Sequence, residues 1–199
     1  MRVEELPTKE RAYHLRVTLK GVRPAIWRRL HVLGDTTLGG LHSIIQVAMG
    51  WSDSHLHLFR VGRTEYSEPD PEDPGWGRHA IDERPVALAT VAPRRGSRLL
   101  YLYDFGDDWQ HDIRVEKILV RQERQAYPVC VDGQRACPPE DCGGTPGYAH
   151  LRKVLRNPRH PEHEFLSEWV GGNFDPEAFD LEGVNRRLGA LASDGARGG

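Results

Sequence analysis

One stretch restricts the fold of this chain more than any other: RLLYLYDFGDDWQHDIRVEKILV, residues 98–120. Its first part, 98–105, is apolar on both faces, the pattern of a strand in the middle of a sheet. Its second part, 108–120, divides cleanly. Trp109, His111, Ile113 and Val115 share one side and Asp108, Gln110, Asp112, Arg114 and Glu116 the other, the period of a strand with a core beneath it and water above. Gly106-Asp107 between the two parts is a strong hairpin signal. An antiparallel sheet with one covered face follows.

The remaining elements are read against that sheet. Residues 13–19 (YHLRVTL) alternate in the same way, turn at 21–24, and pair with 25–32 (AIWRRLHV) as a second hairpin. Asp35-Thr36-Thr37 offers capping oxygens ahead of Leu38, Leu41, Ile44, Ile45, Ala48 and Met49, a helical spacing that stops at Gly50. HLHLFRVG, 55–62, reads as a strand, 66–84 as a long surface loop without either period, and 86–91 as a short helical turn. Proline and glycine in 127–147 predict irregular structure. Helices are expected over 148–155, 161–170 and 176–191, the last after an Asp175 cap. The expected class is α+β: a mainly antiparallel sheet with one early helix and a carboxy-terminal group of helices packed on it. A chain of 199 residues, 38% of them hydrophobic, is enough for one sizeable core, so 1–192 is read as a single domain and 193–199 as a disordered tail.

Composition excludes several roles. With 27 basic and 29 acidic residues the net charge is -2, so no global field draws the chain to nucleic acid, and any such contact must be local. The clusters Arg23, Arg28 and Arg29, then Arg94 and Arg95, then Arg152, Lys153, Arg156 and Arg159 are short or interrupted by acids, as solvated faces are. No apolar run approaches the roughly 18 to 20 residues that span a bilayer, and the amino terminus has no signal-peptide pattern, which points to the cytoplasm and away from membranes. Cys130, Cys137 and Cys142 are an odd set and argue against a disulfide framework. Their spacing lacks the C-x2-C knuckle of a zinc ribbon, so they read as thiols or, with a histidine from elsewhere, as a structural zinc clip.

Three motifs carry chemistry. His55 and His57 stand two apart on a strand, about 6 to 7 Å from each other on one face, within reach of one divalent metal such as zinc. His111 lies on the apolar face of its own strand; were the strands neighbours, it would join them, with Asp104 or Asp107 as the carboxylate. The plainer reading of each imidazole is a hydrogen-bonded core residue. In PPEDCGG, 138–144, prolines and glycines hold Glu140 and Asp141 at a defined place, for a ligand or simply for turn formation. Phosphate-binding glycine loops and the G-x-S-x-G nucleophile elbow are absent from the sequence.

Taken in order, YHLRVTLKGVRPAIWRRL, LHSIIQVAMGWSDSHLHLF, YLYDFGDDWQHDIRVE, YPVCVDGQRACPPEDCGGTPGY and WVGGNFDPEAFD resemble the plasmid pRiA4b ORF-3-like family, also known as TnpR-like passenger proteins of an insertion element. The resemblance runs from about residue 12 to 188. It implies an α+β fold, an association with bacterial mobile elements, and one surface shared by HLHLF, YDFGDDWQH and PPEDCGG. It does not bring recombinase chemistry, because Ser43, Ser52, Ser54, Ser67, Ser97 and Ser167 lack an arginine-rich catalytic context. Two functions remain. The first is a cytoplasmic binding or accessory module with a pocket of His55, His57, Asp104, Asp107, Trp109, His111, Glu140 and Asp141. The alternative is a metal-dependent hydrolase, acting on phosphodiesters, in which His55, His57, His111 and Asp104 or Asp107 hold the ion and Glu140 or Asp141 is the general base.

Overall fold

The computed structural model describes residues 3–69 and 80–195. Its eight strands are β1 (Arg11–Leu19), β2 (Trp27–Leu33), β3 (His57–Val61), β4 (Thr64–Ser67), β5 (Ile81–Asp82), β6 (Arg98–Tyr103), β7 (Trp109–Val120) and β8 (Val129–Gln134). They form one sheet in the order β5-β4-β3-β6-β7-β1-β2-β8. Every pairing is antiparallel except the parallel contact of β4 with β5. The helices are α1 (Leu38–Met49), α2 (Leu88–Val91), α3 (Gly144–Leu155), α4 (His163–Trp169) and α5 (Leu181–Gly195). The protein is α+β, with a mainly antiparallel sheet and helices packed on it. Among the described residues no helix is long and apolar enough to cross a membrane.

The alternation in β1 decides which face is covered. Tyr13, Leu15, Val17 and Leu19 are at most 1% exposed, whereas His14, Arg16 and Thr18 between them are half-buried. The covered face continues through Tyr101 and Tyr103 of β6 and Trp109, His111, Ile113 and Val115 of β7 into one core with α1, α3 and α5. Each fully buried Leu or Ile in such a core contributes roughly 1.5–3 kcal/mol. Helix α1 starts where the Thr37 hydroxyl accepts from the Gly40 amide and stops at Gly50, whose φ of 98° no β-carbon favours. Its buried stripe holds Leu38, Leu41, Ile45 and Ala48, and two polar residues as well, His42 and Gln46.

Arg28 pins α1 to the sheet. It is 2% exposed, and its guanidinium donates to the carbonyls of Ala48, Trp27, Gln134 and Arg135 at 2.8–3.0 Å and lies 4.0 Å from the Phe179 ring. A buried cation is tolerated here because nearly every N–H meets a carbonyl.

The observed elements differ from the sequence reading in several places, and helix α3 opens at Gly144, four residues before the expected 148 and inside the segment read as irregular. Residues 129–134, within the segment expected to be irregular, form the edge strand β8, because pairing with β2 satisfies their backbone and the prolines lie outside them. The predicted loop 66–84 holds the end of β4 and all of β5; its residues 70–79 lie outside the described residues. The last helix begins at Leu181 rather than 176, since Asp175 caps a turn by accepting from Glu177 N at 2.9 Å and Asp180 accepts from Gly183 N at 2.8 Å. That helix runs to Gly195, into the segment read as tail, and 196–199 lie outside the described residues.

Candidate functional site

At one end of the covered face, β3 delivers His57, the segment between α1 and β3 delivers Asp53 and His55, and the turn after β6 delivers Asp104. The register His57↔Tyr103 and the amide of Asp104 on the Leu56 carbonyl at 3.0 Å bring these segments side by side. Asp53, Asp104 and Asp141 have φ values of 59°, 56° and 56°. This left-handed region is uncommon for residues other than glycine, although Asp and Asn enter it several times more readily than most; Asp104 Oδ1 caps its own turn by accepting from Gly106 N and Asp107 N at 2.9 and 3.2 Å, leaving Oδ2 toward His55.

Two groups of donors result. In the first, His42, Asp53 and His57 offer ligand atoms that all lie within 4.8 Å of one another. The two imidazoles stack at 3.5 Å and 6°. His42 Nε2 is 2.8 Å from Asp53 Oδ1, and its Nδ1 is 2.8 Å from the Tyr101 hydroxyl, which also accepts from Gln46 Nε2 at 2.8 Å. The Asp53 carboxylate can only accept, so here His42 Nε2–H donates to it and the Tyr101 hydroxyl donates to Nδ1; a cation at Nε2 takes the place of that proton and requires the other tautomer, with Nδ1–H on the hydroxyl. Burial, and then the neighbouring His57, lower the His42 pKa against the opposing pull of Asp53 and Glu83, which favours the neutral ring a metal requires. Glu83 is 1% exposed; its Oε1 is 2.9 Å from His57 Nε2, and its Oε2 is buried without a hydrogen-bond partner among the described residues.

In the second group, His55 Nε2 lies 3.2 Å from Asp141 Oδ1 and 3.6 Å from Asp104 Oδ2. That nitrogen is buried and aligned for a hydrogen bond with neither. A cavity of about 560 Å³ is lined by His42, Asp53 and His57 of the first group, by His55 of the second, and by Glu83 among others.

HLHLF, YDFGDDWQH and PPEDCGG meet here through named contacts. Glu140 accepts from the Tyr103 hydroxyl at 2.5 Å and from the Ser52 hydroxyl, Asp107 accepts from Gly143 N at 3.2 Å, and Trp51 donates to the Pro138 carbonyl at 3.0 Å. Burial would raise the Glu140 pKa, but hydrogen bonds from Ser52 and Tyr103 outweigh it and hold the carboxylate low. Both its oxygens are occupied, so Glu140 is a clasp between loops rather than a proton acceptor.

Other sequence candidates lie elsewhere. His55 and His57 belong to different groups, divided by their carboxylate partners. His111 belongs to neither: it is 0% exposed, sealed against Trp51 and Tyr101, and burial drives its pKa down to about 3. Trp109 is likewise 0% exposed and packs on Trp51. Asp107 faces the start of α3 instead of the imidazoles. The cysteines are free; burial raises all three thiols, Cys142 to about 12, and none joins a three-donor group among the described residues. His42, Asp53 and Glu83 were not singled out by the sequence. His42 hides in an apolar helix stripe, Glu83 in an acidic loop and Asp53 in the polar run WSDSH.

Comparison with known proteins gives the same picture of relatedness from three sides. The model of the plasmid pRiA4b ORF-3-like protein family matches residues 11–183. A relative from Sinorhizobium fredii (strain NBRC 101917 / NGR234), Uncharacterized protein y4hQ, is 37% identical over 185 residues, covering 92% of this chain and 93% of its own. The crystal structure of a protein of unknown function, MM3350, from Methanosarcina mazei Go1 superposes with a TM-score of 0.79 at 38% identity, covering 88% of this chain and 98% of that one. A match that spans the sheet, α1 and the three converging motifs leaves one conclusion: the chain belongs to the plasmid pRiA4b ORF-3-like protein family.

Proposed function

We propose that the protein binds a divalent transition metal through His42, Asp53 and His57 and presents it to a polar ligand entering the cavity above. The carrying observation is the convergence of two imidazoles and a carboxylate within 4.8 Å, with the buried, half-satisfied carboxylate of Glu83 beside them. Two histidines and a carboxylate suit zinc and non-haem iron and leave positions open for water or ligand. Tyr101 and Gln46 fix the orientation of His42 from behind, as supporting partners of metal-binding histidines commonly do.

The test is elemental analysis of protein purified without a metal-binding tag, followed by titration with zinc and manganese. One equivalent per chain is expected, lost in His42→Ala and His57→Ala variants that keep the native circular dichroism. A folded protein that carries no metal and takes up none at micromolar concentration would sink the reading.

A second reading, metal-dependent hydrolysis of phosphodiesters, is favoured by one further observation: His55, with the Asp141 and Asp104 carboxylates 3.2 and 3.6 Å from its Nε2, opens on the same cavity. In this reading His55, held between those two carboxylates at the cavity wall, is the proton acceptor. Release of nitrophenol from bis(p-nitrophenyl) phosphate, abolished in His55→Ala with metal content unchanged, would support it; no turnover with any loaded metal would remove it. Action in the cytoplasm is supported by three free thiols, and a setting in mobile elements by the family description alone.

A further inference from the structure

The open face of the sheet carries a feature that the metal pocket does not use. On alternate positions of four adjacent strands, the register pairs Arg98 with Arg114, Arg114 with Arg16, and Arg16 with Arg29. Four arginines therefore form one row straight across β6, β7, β1 and β2. At a strand spacing of about 4.7–4.9 Å the row is about 14 Å long. Like charges directly opposite each other on neighbouring strands destabilise a sheet, so an arrangement of this kind calls for an anion.

The ends of the row are compensated within the protein. Arg29 is 2.8 Å from Glu116 and 3.1 Å from Asp132, and Arg98 is 3.4 Å from Asp112. Its middle is compensated less: Arg16 and Arg114 share only the more distant field of the Glu116 already paired with Arg29, Arg16 lies 4.2 Å from the Trp27 ring, and neither has a carboxylate ion pair of its own among the described residues. A cavity of about 460 Å³ lies beside the row, lined by His14, Arg29, Arg95, Arg114, Glu116 and Lys117. Arg95 and Lys117 are exposed and also lack a carboxylate ion pair among the described residues. One row further, His14 and His31 stack at 3.5 Å and 14°. Cations thus concentrate on this face although the whole chain is at -2.

We infer that this face binds the phosphate backbone of a single-stranded nucleic acid, with the Arg98, Arg114, Arg16 and Arg29 row as its contact line. A lone phosphate would engage one or two of these guanidinia, whereas a row about 14 Å long fits several successive phosphates. The sheet face is broad and open, and its guanidinia form a charged track of the kind that follows a single-strand backbone. Duplex readers instead insert a helix or a two-stranded ribbon into a groove, and no such projection rises from this face among the described residues.

The experiment is fluorescence anisotropy of the full chain with a labelled single-stranded 20-mer between 50 and 300 mM salt, repeated with Arg16→Gln, Arg114→Gln and the double variant. Binding should weaken with salt at a slope of about -2 to -3 in log K against log salt, the value for three to four phosphates on a single strand. Each single variant should weaken binding several-fold and the double variant more than tenfold, with a shallower salt slope. Arg186→Gln on α5 should bind like the native chain. Because Arg16 and Arg114 oppose each other, the same variants should melt no lower than the native protein, which separates lost binding from lost folding. Absence of binding at 50 mM salt, equal binding by the double variant, a clear preference for duplex, or full displacement by millimolar inorganic phosphate would each overturn the inference.

Discussion

Two pairs of stacked histidines sit on opposite faces of one sheet. His42 and His57 stack at 3.5 Å on the covered face, and His14 and His31 stack at the same distance on the open face. Their geometry is nearly the same and their surroundings are opposite. The covered pair has Asp53 and Glu83 on its ring nitrogens, whereas the open pair has Arg29 and Lys117 nearby and Gln125 on His31 at 2.9 Å. Burial lowers His31 to about 4 and lowers His14, and the adjacent cations push in the same direction. At His42 the carboxylates of Asp53 and Glu83 oppose burial, and with Glu83 on His57 Nε2 they invite a positive charge at the edge of the stacked rings. The lesson is that an imidazole pair has no function by itself: neighbouring charges make one a seat for a cation and leave the other as part of an anion-binding surface.

The largest test of this contrast is His42→Phe, which keeps the ring stack and removes both nitrogens. Metal affinity measured by calorimetry should fall by more than the roughly 10–100-fold typical of a lost supporting partner, while His31→Phe leaves it unchanged. Acid titration comes next. For His31 and His111 the folded pKa lies below the unfolded 6.5, so the unfolded chain binds more protons and stability is lost as pH falls from 6.5 toward about 4 and about 3 respectively. For the fully buried His111 the loss approaches about 1.4 kcal/mol per pH unit, so His111→Phe should show a visibly shallower fall in Tm between pH 6.5 and 4.5 than the native chain.

Gly144→Ala should cost about 1–3 kcal/mol, because its φ is +65° and a β-carbon there would lie 2.6 Å from the Asp107 carbonyl. Its effect on the donors should fall on the His55 group and spare the His42 pair, which thermal melts with and without metal would separate. The smallest effect belongs to Tyr101→Phe, which removes the hydroxyl behind His42. About a tenfold loss of metal affinity is expected, with oligonucleotide binding unaltered.

Most of the sheet was legible because a half-buried strand writes its two faces into a period of two, as β1 and β7 do. Strand β8 was not, since it lies among prolines and glycines and owes its existence to pairing with β2. Helix α5 was legible in type but not at its start, where Asp175 and Asp180 each offer a capping oxygen and only the fold selects between them. At the candidate site, residue types at His55, His57, Asp104 and Asp141 were visible, but their division into two groups depends on the β3 and β6 register, a long-range pairing. His111 misled for a related reason: alternation placed it on the covered face, and the packing of Trp51 over that face then sealed it. His42 occupies a core position by periodicity, so nothing local distinguishes it from the leucines around it.

The left-handed backbone at Asp53, Asp104 and Asp141 bears on how these carboxylates can be dissected. An alanine there changes two things at once, deleting the charge and forcing a β-carbon into a conformation it resists. Asparagine tolerates the same conformation and keeps the side-chain shape, and glycine tolerates it with no side chain at all. A series of Asp, Asn and Gly at each of the three positions therefore separates electrostatic from conformational contributions, which an alanine scan would merge into one number.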